Sequence, residues 1–433
     1  MTMELLTVDR KIAPPIVDAV NFHLELKPYE KFTLDNGVPV YAINAGAEEV
    51  MMVELVFFGG NSFEDKNVVA AAANFLLKNG TSKKQAFQIN EHFEYYGSFL
   101  NRACYNETST LTLHCLNKHI SELLPVVEEL ITDSVFPEEE LAIFKQNQKQ
   151  RLSVSLKKSE FVAGRLIDSY IYGEKHPYGK YSSHAEYDAL NREELMSFYN
   201  KYYKNGNCVI FTAGKLPSGL FELLNKHFGK LPFGNNFQKP LHQISSTKKP
   251  GEKFRITNDE NGVQGSIRIG REFPNRHHPD FLKVMVLNNI FGGYFGSRLM
   301  SNIREDKGYT YGIHSFLQDH IQQSGWLVST EAGKDVCEAA ITEVYKEMKR
   351  LQDEPVGEDE MQLVRNYMMG SILGDLDGPF HIIARWKNYV LNELDGNYFY
   401  NAINTIRTVS PEELQQLAKK YLNPEEFYEL VVI

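Results

Sequence analysis

Cysteine is scarce in this chain. Its four cysteines, Cys104, Cys115, Cys208 and Cys337, are spread over 433 residues without a C-x-x-C pair. That spacing argues against a disulfide framework or a cysteine-bound metal and fits a reducing compartment. Long apolar runs are missing too. The longest is broken by Glu54, and the opening "MTMELLTVDRKIAPPIVDAVNF" has no apolar segment behind a basic start. Neither a membrane span nor a signal peptide is expected, and the chain reads as cytoplasmic. Positive charge is in deficit, with 46 Lys and Arg against 56 Asp and Glu and a net charge of −10. Phosphate-backbone binding needs clustered cations, so nucleic acid is not an expected partner, whereas basic peptides remain compatible with the charge.

What is present is the composition of a globular protein, 42% hydrophobic and 24% charged. The length suits two domains of roughly 200 residues each. Two stretches recur. "FPEEELAIFKQNQ" from Phe136 matches "VGEDEMQLVRNYM" from Val356 at an offset of 220, and "LNREELMSFYNKYY" from Leu190 matches "VSPEELQQLAKKYL" from Val409 at an offset of 219. Each opens with acids in its first turn, followed by apolar residues at helical spacing. Two matches at nearly one offset predict a duplicated domain. The boundary is expected in residues 229–253, a stretch rich in Gly, Pro, Asn, Ser and Lys without sustained periodicity. Strand-like runs such as "LTLHCL" and "SIRIGREF" do not alternate one by one with helices. They predict an α+β fold of two homologous domains, each a mainly antiparallel sheet covered by helices.

The histidines are as informative for their spacing as the cysteines. Thirteen are present, and none forms an H-x-x-x-H pair that would place two imidazoles on one helix face. His277 and His278 are adjacent and diverge on any regular element. Residues 141–159 contain no acid at all.

The series "FTLDNGVPVYAI", "VELVFFGGNSFED", a helical segment ending in "NGT", "FEYYGSFLNR" and "HPYG", followed in the second half by "GGYFGSRLMSNIREDKGYTYG", resembles the insulinase-like M16 metallopeptidases, mitochondrial processing peptidase among them. The resemblance implies a LuxS/M16-type fold forming half of a clamshell. Residues 1–235 would be an N-terminal domain with a degenerate zinc site, and residues 245–433 a C-terminal domain with an Arg/Tyr motif. Active members carry H-x-x-E-H before the Gly-Thr, two histidines binding zinc and a glutamate acting as base. Anchored on Gly80-Thr81, those positions here are Ala71, Asn74 and Phe75; a gapped register gives Asn74, Leu77 and Lys78. Neither set binds zinc, so no metal is expected in this chain.

The second-half motif keeps what the resemblance assigns to peptide contact: Arg304, Tyr311 seven residues later, and the approach formed by Gly292, Gly293 and Ser297. By the same resemblance, a guanidinium and a phenol would hold the peptide carbonyl. Zinc would then belong to a partner subunit bearing H-x-x-E-H, with this chain in a heterodimer or, lacking that partner, a homodimer. The alternative is a catalytically inactive scaffold or peptide-binding protein of the same fold.

Overall fold

The computed structural model describes Ala13 and residues 17–234 and 240–433. Most of the first 16 residues, and residues 235–239 of the expected boundary, lie outside the described residues.

The first sheet has six strands: β1 (Glu30–Thr33), β2 (Pro39–Asn44), β3 (Val50–Phe57), β4 (Phe99–Cys104), β5 (Ser109–Leu116) and β6 (Cys208–Gly214). Their order is β1-β2-β6-β3-β5-β4, and only β2 and β6 run parallel. The second sheet has five: β7 (Lys253–Ile256), β8 (Gln264–Phe273), β9 (Thr310–Gln318), β10 (Ser324–Gly333) and β11 (Tyr428–Val432), ordered β7-β11-β8-β10-β9. Here too one neighbour pair, β7 and β11, is parallel. Without β1, the two sheets have the same order and the same placement of their parallel pair. The duplication predicted from two helical repeats therefore extends to the whole topology.

The first half carries α1 (Val69–Leu76), α2 (Ala86–Tyr95), α3 (Ile120–Asp133), α4 (Glu138–Ser155), α5 (Ser159–Tyr172), α6 (His184–Ala189), α7 (Arg192–Tyr199) and α8 (Leu220–Phe228). The second carries α9 (Phe281–Asn288), α10 (Cys337–Asp353), α11 (Glu358–Gly374), α12 (Pro379–Leu391), α13 (Gly396–Thr408) and α14 (Pro411–Tyr421). The repeated stretches are α4 with α11 and α7 with α14. Their starts show why the sequence signal was clear. Asn191 caps α7 through the amide of Glu194, and Ser410 with Glu413 forms a capping box on α14, so each satisfies amides that the helix leaves open.

The halves exchange helices. Ile167, Tyr170 and Ile171 of α5 pack on Leu327, Leu430 and Val432 of the second sheet. Gly270 permits that approach, because a Cβ there would lie 3.0 Å from the Ile171 side chain. In return, Ile383 and Trp386 of α12 join Tyr41, Ile43, Met52 and Phe211 of the first sheet in one core. Strand β3 is accordingly buried from Met51 to Phe57, and its one charge, Glu54, is 5% exposed and paired with Lys387 of α12 at 2.8 Å. A strand covered on both faces reads as a continuous apolar run rather than an alternating one. Among the described residues, no helix is long and apolar enough to cross a membrane.

Candidate functional site

Helix α1 carries the positions of the zinc motif. Ala71 and Phe75, one turn apart, are exposed together, Phe75 at 39%, whereas Asn74 is 3% exposed and faces the sheet. Asn74 donates to the Tyr203 hydroxyl at 3.1 Å and to the Thr110 carbonyl at 3.3 Å. Leu77 is fully buried. Ala71 and Phe75, the residues at the two histidine positions in the register anchored on Gly80-Thr81, thus share the exposed face of α1. A methyl group and a phenyl ring offer no lone pair, and the amide between them is committed to internal hydrogen bonds, so these residues do not fit a zinc ion. Among the described residues there is no group of three or more His, Cys, Asp or Glu placed to hold a metal.

Cations and aromatics occupy that face instead. The Arg102 guanidinium, from β4, lies over the Phe75 ring at 4.8 Å and donates to the Phe75 carbonyl. Phe75 also packs against Phe144 of α4, ring centroids 5.1 Å apart. Burial brings the Arg102 pKa down to about 10, and burial followed by the charge of Arg102 lowers that of Lys78. The stretch "FEYYGSFLNR" contained Arg102, but nothing in its pattern ties that residue to α1, 27 positions earlier.

The start of α1 is strained. Val68 has φ +70°, a left-handed conformation that a β-branched side chain rarely adopts. Glu64 holds the turn, accepting from the Ala70 amide at 2.8 Å and pairing with Lys180 at 2.6 Å. Burial raises the Glu64 pKa, against the opposing charge of Lys180.

The second constellation is built on a wide helical turn, Met300–Asp306, that runs into β9. Met300 and Ile303 are buried and fix the turn, and Gly308, at φ +65°, makes the reversal that a larger residue would resist. Arg304 and Tyr311 are brought together: Arg304 donates from Nε to the main-chain carbonyl of Tyr311 at 3.0 Å. Its guanidinium lies over Phe295 at 4.7 Å, with Glu305 3.8 Å from Nη1. The Tyr311 side chain projects outward, the residue being 93% exposed, and Phe295 is 60% exposed. Phe295 was not singled out in the sequence, although its place in "GGYFGSR" lies within the motif.

The other motif residues stand behind this surface. Gly292 is buried against Leu299 and Ser315, where an added Cβ would come within 2.7–2.8 Å of both. Gly293 faces the side chains of Asn288 and Asn289. Ser297 is 1% exposed, and its hydroxyl has no hydrogen-bond partner among the described residues. These three shape the turn, while Arg304 and Tyr311 reach its exterior. An arginine fork whose Nη1 has only the distant Glu305 carboxylate, beside an exposed phenol, can donate several hydrogen bonds to a carbonyl or an anion.

Residues 189–368 match the family described as "Peptidase M16 inactive domain". The "Uncharacterized zinc protease YmxG" of Bacillus subtilis (strain 168) is 22% identical over 414 residues, covering 93% of this chain and 98% of that protein. The "Non-peptidase homolog YmxG" of Helicobacter pylori (strain ATCC 700392 / 26695) is 22% identical over 386 residues, covering 85% of each. Among solved structures, the peptidase M16 inactive domain from Pseudomonas fluorescens superposes with a TM-score of 0.83 at 22% identity, covering 93% of this chain and 98% of that one. Residues 189–368 thus match the inactive domain of the M16 peptidase family, and over nearly its whole length the chain is similar to M16 homologues in sequence and in fold.

Proposed function

We propose that this chain is the zinc-less subunit of a two-chain M16 peptidase, holding peptide and supplying Arg304 and Tyr311 to a partner that bears H-x-x-E-H. The observation that carries this reading is the Arg304–Tyr311 pair. One Nε bond fixes the guanidinium to the start of β9, leaving its Nη groups partly exposed beside Glu305 and the phenol at an open surface. When bound in the partner, zinc would supply a Lewis acid and an activated water. This chain's part is electrostatic: Arg304 and Tyr311 donate to the scissile carbonyl as negative charge develops on its oxygen. Gly292 and Ser297 support the pair from inside the turn.

Peptide attachment has a physical basis in the sheets. β4 and β9 are edge strands, each paired on one side only. An open edge offers main-chain donors and acceptors to an extended peptide. The functional assembly on this reading is a heterodimer, with a homodimer forming in the partner's absence.

Recovery of the chain's binding partner from its source cell tests the assignment. A partner sequence with H-x-x-E-H, and peptidase activity only in the mixture, is the expected result. A stable assembly lacking any such subunit would instead identify the chain as a scaffold.

A further inference from the structure

The face that would carry zinc in an active relative holds two positive side chains, Lys78 and Arg102, in a chain whose net charge is −10. Arg102 is held over Phe75 by its bond to the Phe75 carbonyl. Lys78 is half-buried beside it, and no hydrogen bond or ion pair of its side chain is found among the described residues. Nearby acid is meagre. Glu140 accepts from Asn79 at 2.7 Å, and Glu94 acts on Lys78 only as the smallest of its influences. The wall next to α1 adds none, since residues 141–159 lack Asp and Glu. A half-buried ammonium next to a guanidinium carries an electrostatic cost that an anion would relieve.

We propose that Lys78 and Arg102 receive a carboxylate side chain of the bound peptide, so that the chain selects extended peptides with Asp or Glu at the residue lying over α1. This rests on the peptide-binding part of the function proposed above. Arg102 belongs to β4, whose outer edge is unpaired, and its side chain lies on the face toward α1. A peptide added to that edge alternates its side chains between the two faces, which presents every second residue to α1. Where an active relative places a dication against the substrate, this chain places two monocations. They cannot activate water, but they complement an acidic side chain. Phe75 and Phe144 form an apolar backing that strengthens the attraction.

The test measures fluorescence anisotropy of an acetylated, amidated Thr/Val heptapeptide with Glu, Gln or Lys at its centre, bound to the full chain. The Glu peptide should bind about tenfold more tightly than the Gln peptide and the Lys peptide more weakly than either, with the spread shrinking at 1 M salt. Lys78→Glu, which breaks no hydrogen bond, should abolish the preference for Glu, and a thermal melt confirms its fold. Equal binding of the Glu and Gln peptides, unchanged in Lys78→Glu, would overturn the selectivity and leave peptide binding standing. Failure of all three peptides to bind would overturn peptide binding itself, and the selectivity with it.

Discussion

Arg304 and Tyr311 are joined through a side chain and a carbonyl: the guanidinium Nε donates to the Tyr311 main chain at 3.0 Å, and the exposed Tyr311 phenol has no hydrogen bond among the described residues. The separation of duties has a consequence for mutagenesis. Tyr311→Phe removes a donor without touching the Arg304 bond, whereas Arg304→Ala removes both the charged fork and the brace at the start of β9. Tyr311→Phe should therefore leave the melting temperature unchanged. Arg304→Ala should lower stability by about 1 kcal/mol, the usual worth of one such hydrogen bond. Thermal melts of the two variants check this, and a large loss in Tyr311→Phe would show that the phenol is structural.

Metal content follows from α1. With Ala71 and Phe75 at the ligand positions, purified protein should contain well under one zinc per molecule. Introducing Ala71→His, Asn74→Glu and Phe75→His together should still not give stoichiometric zinc, because Lys78 and Arg102 remain and α4 supplies no further carboxylate after Glu140. Elemental analysis of both proteins decides. One zinc per wild-type chain, held by first-half side chains, would contradict the reading of this helix.

The ion pair between Glu54 and Lys387 ties the halves together. Both oxygens of Glu54 accept from Lys387, at 2.8 and 2.9 Å, and Thr112 donates to one of them at 3.2 Å. Lys387→Met would strand a buried carboxylate and should cost about 3 kcal/mol, while adding Glu54→Leu should restore much of that loss. Urea unfolding of the single and double variants measures the coupling. Additive losses would mean that the pair does not act as a unit.

Stability should fall on acidification through His176 and His320. Burial depresses both pKa values to about 4, with His242 adding to the effect at His176 and Asp319 opposing it at His320. Below about pH 6.5 the unfolded chain takes up protons that the folded chain refuses, so stability declines from there to about pH 4. Asp168 works the other way. Burial raises its pKa to about 6, so its contribution is present at low pH and is lost as pH rises through 6. Glu64 and Glu272, also raised by burial, act in the same sense as Asp168, and the two histidines oppose them with a loss as pH falls. His320→Asn should lessen that loss in denaturant titrations at pH 7, 5.5 and 4.5.

Much of this was legible in the sequence for identifiable reasons. The helix starts at Asn191 and Ser410 announce themselves because capping needs particular side chains at fixed offsets, and the spacing of Arg304 and Tyr311 is local to one turn and one strand. The exchange of α5 and α12 between sheets was not legible. Amphipathic spacing shows that Ile383 and Trp386 face a core, but it does not say which sheet supplies that core. Arg102 and Lys78 escaped for a related reason: β4 and α1 meet only through the fold, so no sequence window holds the two cations as a pair with a shared surface.

Kinetics of the reconstituted two-chain enzyme test the central claim most directly. With the zinc-bearing partner held constant, kcat and KM on one peptide are to be compared for the unmodified chain, Arg304→Ala and Tyr311→Phe. If these groups stabilise the developing oxyanion, each loss should lower kcat about 10²- to 10³-fold, or roughly 3–4 kcal/mol, with a smaller change in KM. An unchanged kcat in both folded variants would contradict the catalytic role and leave the chain as a structural partner.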